Sequence, residues 1–217
     1  MEGIGSVIEG NPWEKRAELG PLRALWETIK VVLLKPRKFF ETLTVKESIG
    51  DPFLFYFIVC TVVFFAGLGW SWVFEKAFSV QNPQPALPVW LSVTVFFTTV
   101  VGIFISTFFN QIFVQLFKGH GNWKATFAVL CYASAVTVFS IVPFLGPLVG
   151  VVWGLIITII GFQVLHRLSM GKAVAVYFLP SILMVIFFVM LFMISPKATS
   201  FFKGLENSGT LPQGQVQ

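Results

Sequence analysis

The sequence predicts an all-α polytopic membrane protein: five transmembrane helices preceded by amphipathic helices lying in the membrane surface. Three observations predict it. The 42 residues between Lys124 and Arg167 contain no Asp, Glu, Lys or Arg. One crossing needs about 20 apolar residues, so this stretch holds two, with Pro143, Gly146 and Pro147 at its middle where a helical hairpin turns. The composition is 56% hydrophobic and only 12% charged, with a mean hydropathy of +0.82, whereas a soluble domain carries about 25% charged residues. The 26 Phe and 7 Trp suit lipid-facing surfaces and interfacial belts.

Residues 1–50 read as a cytoplasmic segment. They hold eight of the fifteen Lys and Arg, and the first 20 residues contain no apolar core and no small-residue cleavage site, so a cleaved signal peptide is not expected. Asn11-Pro12 and Gly20-Pro21 punctuate the start, and Pro21 suits the first position of a helix. Leu22, Leu25, Trp26, Ile29, Val32 and Leu33 then fall on one stripe about 120° wide, opposite Arg23, Glu27 and Lys30. Pro36 ends this helix and starts a shorter one carrying Phe39, Phe40 and Leu43. Lys35, Arg37 and Lys38 mark the elbow. The flanking basic charge and the Trp favour a helix in the membrane surface over one docked on the bundle. Leu22, Leu25, Trp26, Ile29 and Leu33 would face lipid, and Lys35, Arg37 and Lys38 would meet anionic headgroups.

The spans follow. The first is Pro52–Phe74, with Trp70 and Trp72 at its far end and Glu75 and Lys76 closing it. Ser79–Leu87 reads as an extended loop. The second runs from Pro88 to Phe117, longer than one crossing needs, so it tilts or emerges into water. The third is Trp123–Val142 and the fourth Gly146–Leu165. The fifth is Ala173–Ser195, with Pro180 inside it removing one backbone donor. Residues 51–195 form the membrane domain, and residues 196–217, polar and rich in Gly and Gln, read as a disordered tail.

Five spans put the termini on opposite sides. With the N-terminus inside, the inner segments carry twelve basic residues: the eight of the N-terminal segment with Lys118, Lys124, Arg167 and Lys172. The outer segments carry three, Lys76, Lys197 and Lys203. The positive-inside rule selects N-in, C-out, in a cell membrane. The net charge of +5 then belongs to anionic lipid, not to nucleic acid.

Within the spans, Gly146, Gly150 and Gly154 recur every four residues, continued by Thr158. Small residues on one face let another backbone approach, and the third span, rich in Ala, is the natural partner. A homo-oligomer or another membrane protein is the alternative user of that face. Asn110, Gln111 and Gln115 on the second span must find hydrogen-bond partners. They would either line a polar cavity, as in a small transporter or channel, or bond between helices. The second reading is favoured because no Asp, Glu, Lys or Arg lies in the interior of any span. Cys60 and Cys131 sit in apolar runs as small hydrophobes. His120 and His166 have no carboxylate or thiolate at metal-ligand spacing, and no Ser-hydrolase elbow, zincin, Walker or dinucleotide motif occurs. The sequence therefore proposes no enzyme, metal or cofactor.

The run PWEKRAELGPLRALWETIKVVLLKPRKFF resembles the lead-in of bacterial proteins of the Yip family, membrane proteins named for binding Ypt/Rab GTPases in eukaryotes. GNWKATFAVLCYASAV and VPFLGPLVGVVWGLIITIIGFQVLHRLSMGKAV resemble the family's third-to-fifth span region. The resemblance covers roughly residues 12–195. It implies five spans, a cytoplasmic N-terminus, a role in trafficking or membrane organisation, and association with itself or relatives. The chain departs from eukaryotic members in keeping only Asp51-Pro52 of an Asp-Leu-Tyr-Gly-Pro motif and in having a shorter N-terminal region. Neither departure leaves a GTPase-binding residue to transfer. A lipid-binding or lipid-moving protein is a further alternative, with the surface helices gripping headgroups.

Overall fold

The structure, a computed structural model, describes residues 11–45, 48–78 and 89–194. All regular structure among them is helical. A 3-10 helix, Pro12–Lys15, leads into α1 (Arg16–Leu19), α2 (Pro21–Leu34) and α3 (Pro36–Thr42). The long helices are α4 (Gly50–Phe78), α5 (Val89–Leu116), α6 (Trp123–Ala133) continued by a 3-10 helix Ser134–Ile141, α7 (Leu145–His166) and α8 (Met170–Ile194). Five of these are long and apolar enough to cross a membrane, the third being Trp123–Ile141 as one unit. The expected loop Ser79–Leu87, Ser195 and the tail 196–217 lie outside the described residues.

Local chemistry sets the boundaries. The Asn11 side chain accepts from the Trp13 N–H and caps the first turn, as Asn does at helix starts. Gly20, at φ +80°, separates α1 from α2, a conformation that favours glycine. Lys35, ahead of Pro36, leaves the helical region because the proline ring crowds the preceding residue. Asn122 accepts from the Ala125 N–H and caps α6.

The third span changes its winding at Ser134. The Ser134 hydroxyl donates to the Cys131 carbonyl and the Thr137 hydroxyl to that of Ser134. Both reach three residues back, the 3-10 spacing. The larger rise of a 3-10 helix brings these 19 residues to about 32 Å, enough to match a hydrocarbon core of about 30 Å.

The hairpin turn uses Pro143, one of the three residues the sequence marks for it, and not Gly146 or Pro147. It closes at Phe144, where the Leu145 N–H donates to the Pro143 carbonyl and the backbone adopts φ +66°, ψ −66°. That is a γ-turn on a non-glycine residue, a strained conformation. Gly146 and Pro147 already belong to α7. The glycines are needed elsewhere: a methyl group on Gly146 would overlap the Phe139 carbonyl oxygen, and one on Gly150 would lie 3.3 Å from that of Val136.

Chain compactness divides the protein into residues 1–177 and 178–217. Of the second unit, 178–194 are described, the later turns of α8, with Pro180 buried and the apolar side chains that follow mostly exposed. The first unit holds the core. The third span is its centre: 56% of its most apolar window is buried, against 17% for α4 and 11% for α5. Around Tyr132 stand Phe39, at 5.0 Å between ring centroids, and Phe55, at 5.2 Å. Trp13 packs edge-on against Phe55 at 5.9 Å.

Candidate functional site

The N-terminal segment is built into the bundle. Trp13, 1% exposed, donates its indole N–H to the Asp51 carbonyl at 2.8 Å. The Asn11 amide donates to the Tyr132 hydroxyl at 2.7 Å. Arg16 pairs with the Asp51 carboxylate at 2.7 Å, donates to the Trp13 carbonyl and lies 5.2 Å from the Trp13 ring centroid. This knot ties residues 11–16 to the start of α4 and the C-terminal end of α6. Sequence reading missed it, taking Asn11-Pro12 as punctuation and Asp51-Pro52 as a motif remnant. The available signal was a Trp beside an Asn cap in an otherwise polar stretch, a residue too large to leave in water without cause.

Helix α2 is docked by a different face from the one expected. Ala24, Thr28, Ile29 and Val32 are buried, and Thr28 donates to the Ala24 carbonyl within the helix. The buried face is turned roughly a quarter turn from the centre of the sequence stripe. Ile29, expected to face lipid, is 6% exposed and sits in the core; Leu25 and Leu33 are half-buried beside it. Leu22 and Trp26 stay outside, 81% and 57% exposed, with Leu34 at 74%. The physical reason is that α2 is apolar over more than half its circumference, so it has one face for the protein and a second left over. On the third side Lys30 pairs with Glu27 at 2.8 Å and lies 5.9 Å from the Trp26 ring centroid.

The elbow is anchored from the membrane domain. The Trp153 indole of α7 donates to the Leu33 carbonyl at 2.9 Å, and the Phe40 ring lies against Gly161, where a methyl group would meet it at 3.1 Å. Lys35, Arg37 and Lys38 are exposed there. Arg37 reaches Glu41 only at 4.0 Å, with both side chains more than half exposed, a pair too solvated to hold its charge.

The glycine face of α7 meets the 3-10 half of the third span. Gly150 and Gly154 lie under Val136 and Gly146 under Phe139, so the close partner is Val136 and Phe139, and the Ala-rich turns of α6 lie further along. Thr158 is buried and donates to the Gly154 carbonyl.

The polar residues of the second span separate. Gln115 is exposed. Gln111 is buried and bonded to the Thr126 hydroxyl, which lies 3.0 Å from His166 Nε2. His166 Nδ1 lies 2.8 Å from the His120 carbonyl. A carbonyl only accepts, so Nδ1 carries the hydrogen. The Thr126 hydroxyl has one hydrogen to give, to Gln111 Oε1 or to Nε2, and these contacts join α5, α6 and α7 around the buried histidine. The Asn110 amide nitrogen donates to the Ser106 carbonyl, while its oxygen is buried without a partner among the described residues. Gln111 thus bonds between helices. No group of three or more His, Cys, Asp or Glu able to hold a metal occurs among the described residues.

Comparison with known proteins gives one match. Residues 30–193, about three quarters of the chain, match the family model of the Yip1 domain. No curated protein and no solved structure matches. The match starts within α2 and runs through all five spans, so it joins the docked segment and the membrane helices in one unit. The chain belongs to the Yip1 domain family and is an integral membrane protein of five apolar helices.

Proposed function

We propose that this protein is non-enzymatic and organises membrane or recruits partners in a trafficking-like role, through its basic N-terminal segment. It sits in a cell membrane with its N-terminus in the cytoplasm and its C-terminus outside. The observation that carries the reading is the division of α2 into a docked face and a leftover apolar face. Leu22 and Trp26 are exposed beside Arg23 and Lys30, one helix away from the exposed Lys35, Arg37 and Lys38. An exposed apolar edge flanked by cations is suited to the boundary between acyl chains and anionic headgroups. Each exposed cation near that surface contributes about 1 kcal/mol of attraction to anionic lipid.

The test is spin-label accessibility in the full protein, reconstituted in vesicles containing phosphatidylglycerol. The labelled variants are Leu22→Cys, Trp26→Cys and Arg23→Cys, with Cys60 and Cys131 replaced. Positions 22 and 26 should collide with oxygen, which concentrates in lipid, and position 23 with a water-soluble nickel chelate. Nickel access at all three positions would put the edge in water and overturn the reading. Orientation is tested separately by an impermeant thiol reagent on intact cells, using Gly119→Cys and Gln84→Cys. Labelling at 84 alone is expected; labelling at 119 alone would reverse the topology.

A further inference from the structure

Helices α4 and α5 are joined along one half of their length and open along the other. In the joined half, Phe53 and Phe104 pack at 5.5 Å between ring centroids, Phe57 and Phe96 at 6.0 Å, and the Tyr56 hydroxyl donates to the Thr99 carbonyl at 2.7 Å. Beyond that bond two adjoining clefts open, with Phe64 of α4 and Phe96 of α5 packed at 4.9 Å between ring centroids in their lining. One of about 340 Å³ runs past Gly67 and Leu91 to Ser71 and Ser92. The other, about 210 Å³, reaches down to Cys60, Thr99 and Thr137 of the third span. Val63, Phe64 and Val95 line both, so the two form one slot. A methyl group on Gly67 would touch nothing within 4 Å, which leaves the slot wall recessed at its middle.

We infer that this slot holds a single lipid acyl chain, from the leaflet on the side of the α4–α5 connection. Position, length and polarity argue for that occupant. Both walls belong to helices that cross the membrane, so the surrounding medium at this depth is hydrocarbon. From Ser71 to Cys60 the helix rises about 16 Å, half of a hydrocarbon core of about 30 Å and therefore the depth of one leaflet. Cys60 stands near the middle of the span Gly50–Phe74 and Ser71 near its end. The wall between them is apolar, and the two serines stand at the mouth, where a glycerol ester would lie. The driving force is packing: an empty slot forfeits the dispersion contacts of its lining, and helices in lipid have no hydrophobic drive to close it. This site is separate from the α2 edge, and neither proposal depends on the other.

The experiment uses the full protein in phosphatidylcholine vesicles containing lipid with a photoactivatable diazirine on one acyl chain, with adducts mapped by mass spectrometry. A diazirine near the ester should label around Ser71 and Ser92, and one near the chain end around Cys60 and Thr99. Both should exceed, several-fold, the labelling of Val151, Val152 and Ile156, the exposed face of α7. Gly67→Trp, or Ser92→Phe if the first does not fold, should remove most slot adducts and leave those on α7 unchanged. Equal labelling of slot and α7, reversed depth order, or indifference to both plugs would mean ordinary boundary lipid and overturn the proposal. Cross-linking of Ser71→Cys between two copies, with Cys60 and Cys131 replaced, would assign the slot to a second copy and overturn it equally.

Discussion

The two halves of the membrane domain are both built from apolar helices and differ in what covers them. At the end where residues 11–45 dock, Trp13, Phe39, Phe40, Phe55, Phe127, Tyr132 and Phe162 are all fully buried. Toward the Pro143–Phe144 turn, Phe144, Leu145, Leu148, Val151 and Val152 are each more than half exposed, and α4 and α5 part. Apolar character alone therefore does not decide burial in this protein. Lipid solvates a Leu as well as another helix does, so helices close only where polar bonds or small residues make contact better than lipid does. At the covered end the polar bonds include those of Asn11, Trp13 and Arg16, the Trp153 indole on the Leu33 carbonyl, and the Gln111–Thr126 pair. At the turn end the third span approaches α7 over the glycines, and the Trp70 indole donates to the Ile141 carbonyl at 2.7 Å.

The largest effect is expected at Trp13. Trp13→Ala should lower stability in detergent by about 3–5 kcal/mol, the usual cost of removing a buried aromatic ring, and the indole bond to Asp51 goes with it. Trp72→Ala, at a 62% exposed residue of the opposite end, should leave the thermal midpoint nearly unchanged. Equal effects at the two tryptophans would show that the docked segment does not stabilise its end.

Next comes the glycine face. Gly150→Leu should cost about 1–3 kcal/mol by overpacking, because the added side chain meets the Val136 carbonyl, which cannot yield as a side chain can. The thermal midpoint in detergent should fall. An unchanged midpoint would mean that the third and fourth spans are not held by this contact. Val152→Ala, on the exposed side of the same helix, is the matched control and should shift stability by less than about 0.5 kcal/mol.

The smallest effect is expected at Asn110. Its amide oxygen is buried without a partner among the described residues, so Asn110→Leu should be neutral or slightly stabilising, since it removes a desolvated acceptor. Gln111→Leu should instead destabilise by about 1 kcal/mol, the ordinary net worth of a buried hydrogen bond, because Thr126 loses its amide partner. Denaturation of the two variants side by side reads the difference. A larger loss at Asn110 than at Gln111 would reverse the assignment of which amide joins the helices.

Much of the architecture is legible in the sequence because it depends on length and polarity alone. The five spans follow from the number of consecutive residues that hydrocarbon tolerates, and the elbow before α3 follows from Pro36. What the tertiary structure decided are choices among groups that the one-dimensional pattern treats alike. The sequence pattern treats Ile29 and Trp26 as one stripe; packing buried the first and left the second outside, because α2 touches the bundle along a narrower face than its apolar surface. It marks Pro143, Gly146 and Pro147 as the turn; the turn closes at Pro143–Phe144, and Gly146 is needed where the α7 backbone passes the Phe139 carbonyl. It marks Asn110, Gln111 and Gln115 as one polar group; only Gln111 bonds to Thr126 of the next span, which in turn lies against His166 of the fourth. Periodicity reports how much of a helix avoids water, and in a bilayer only the neighbouring surface determines which part of it meets protein.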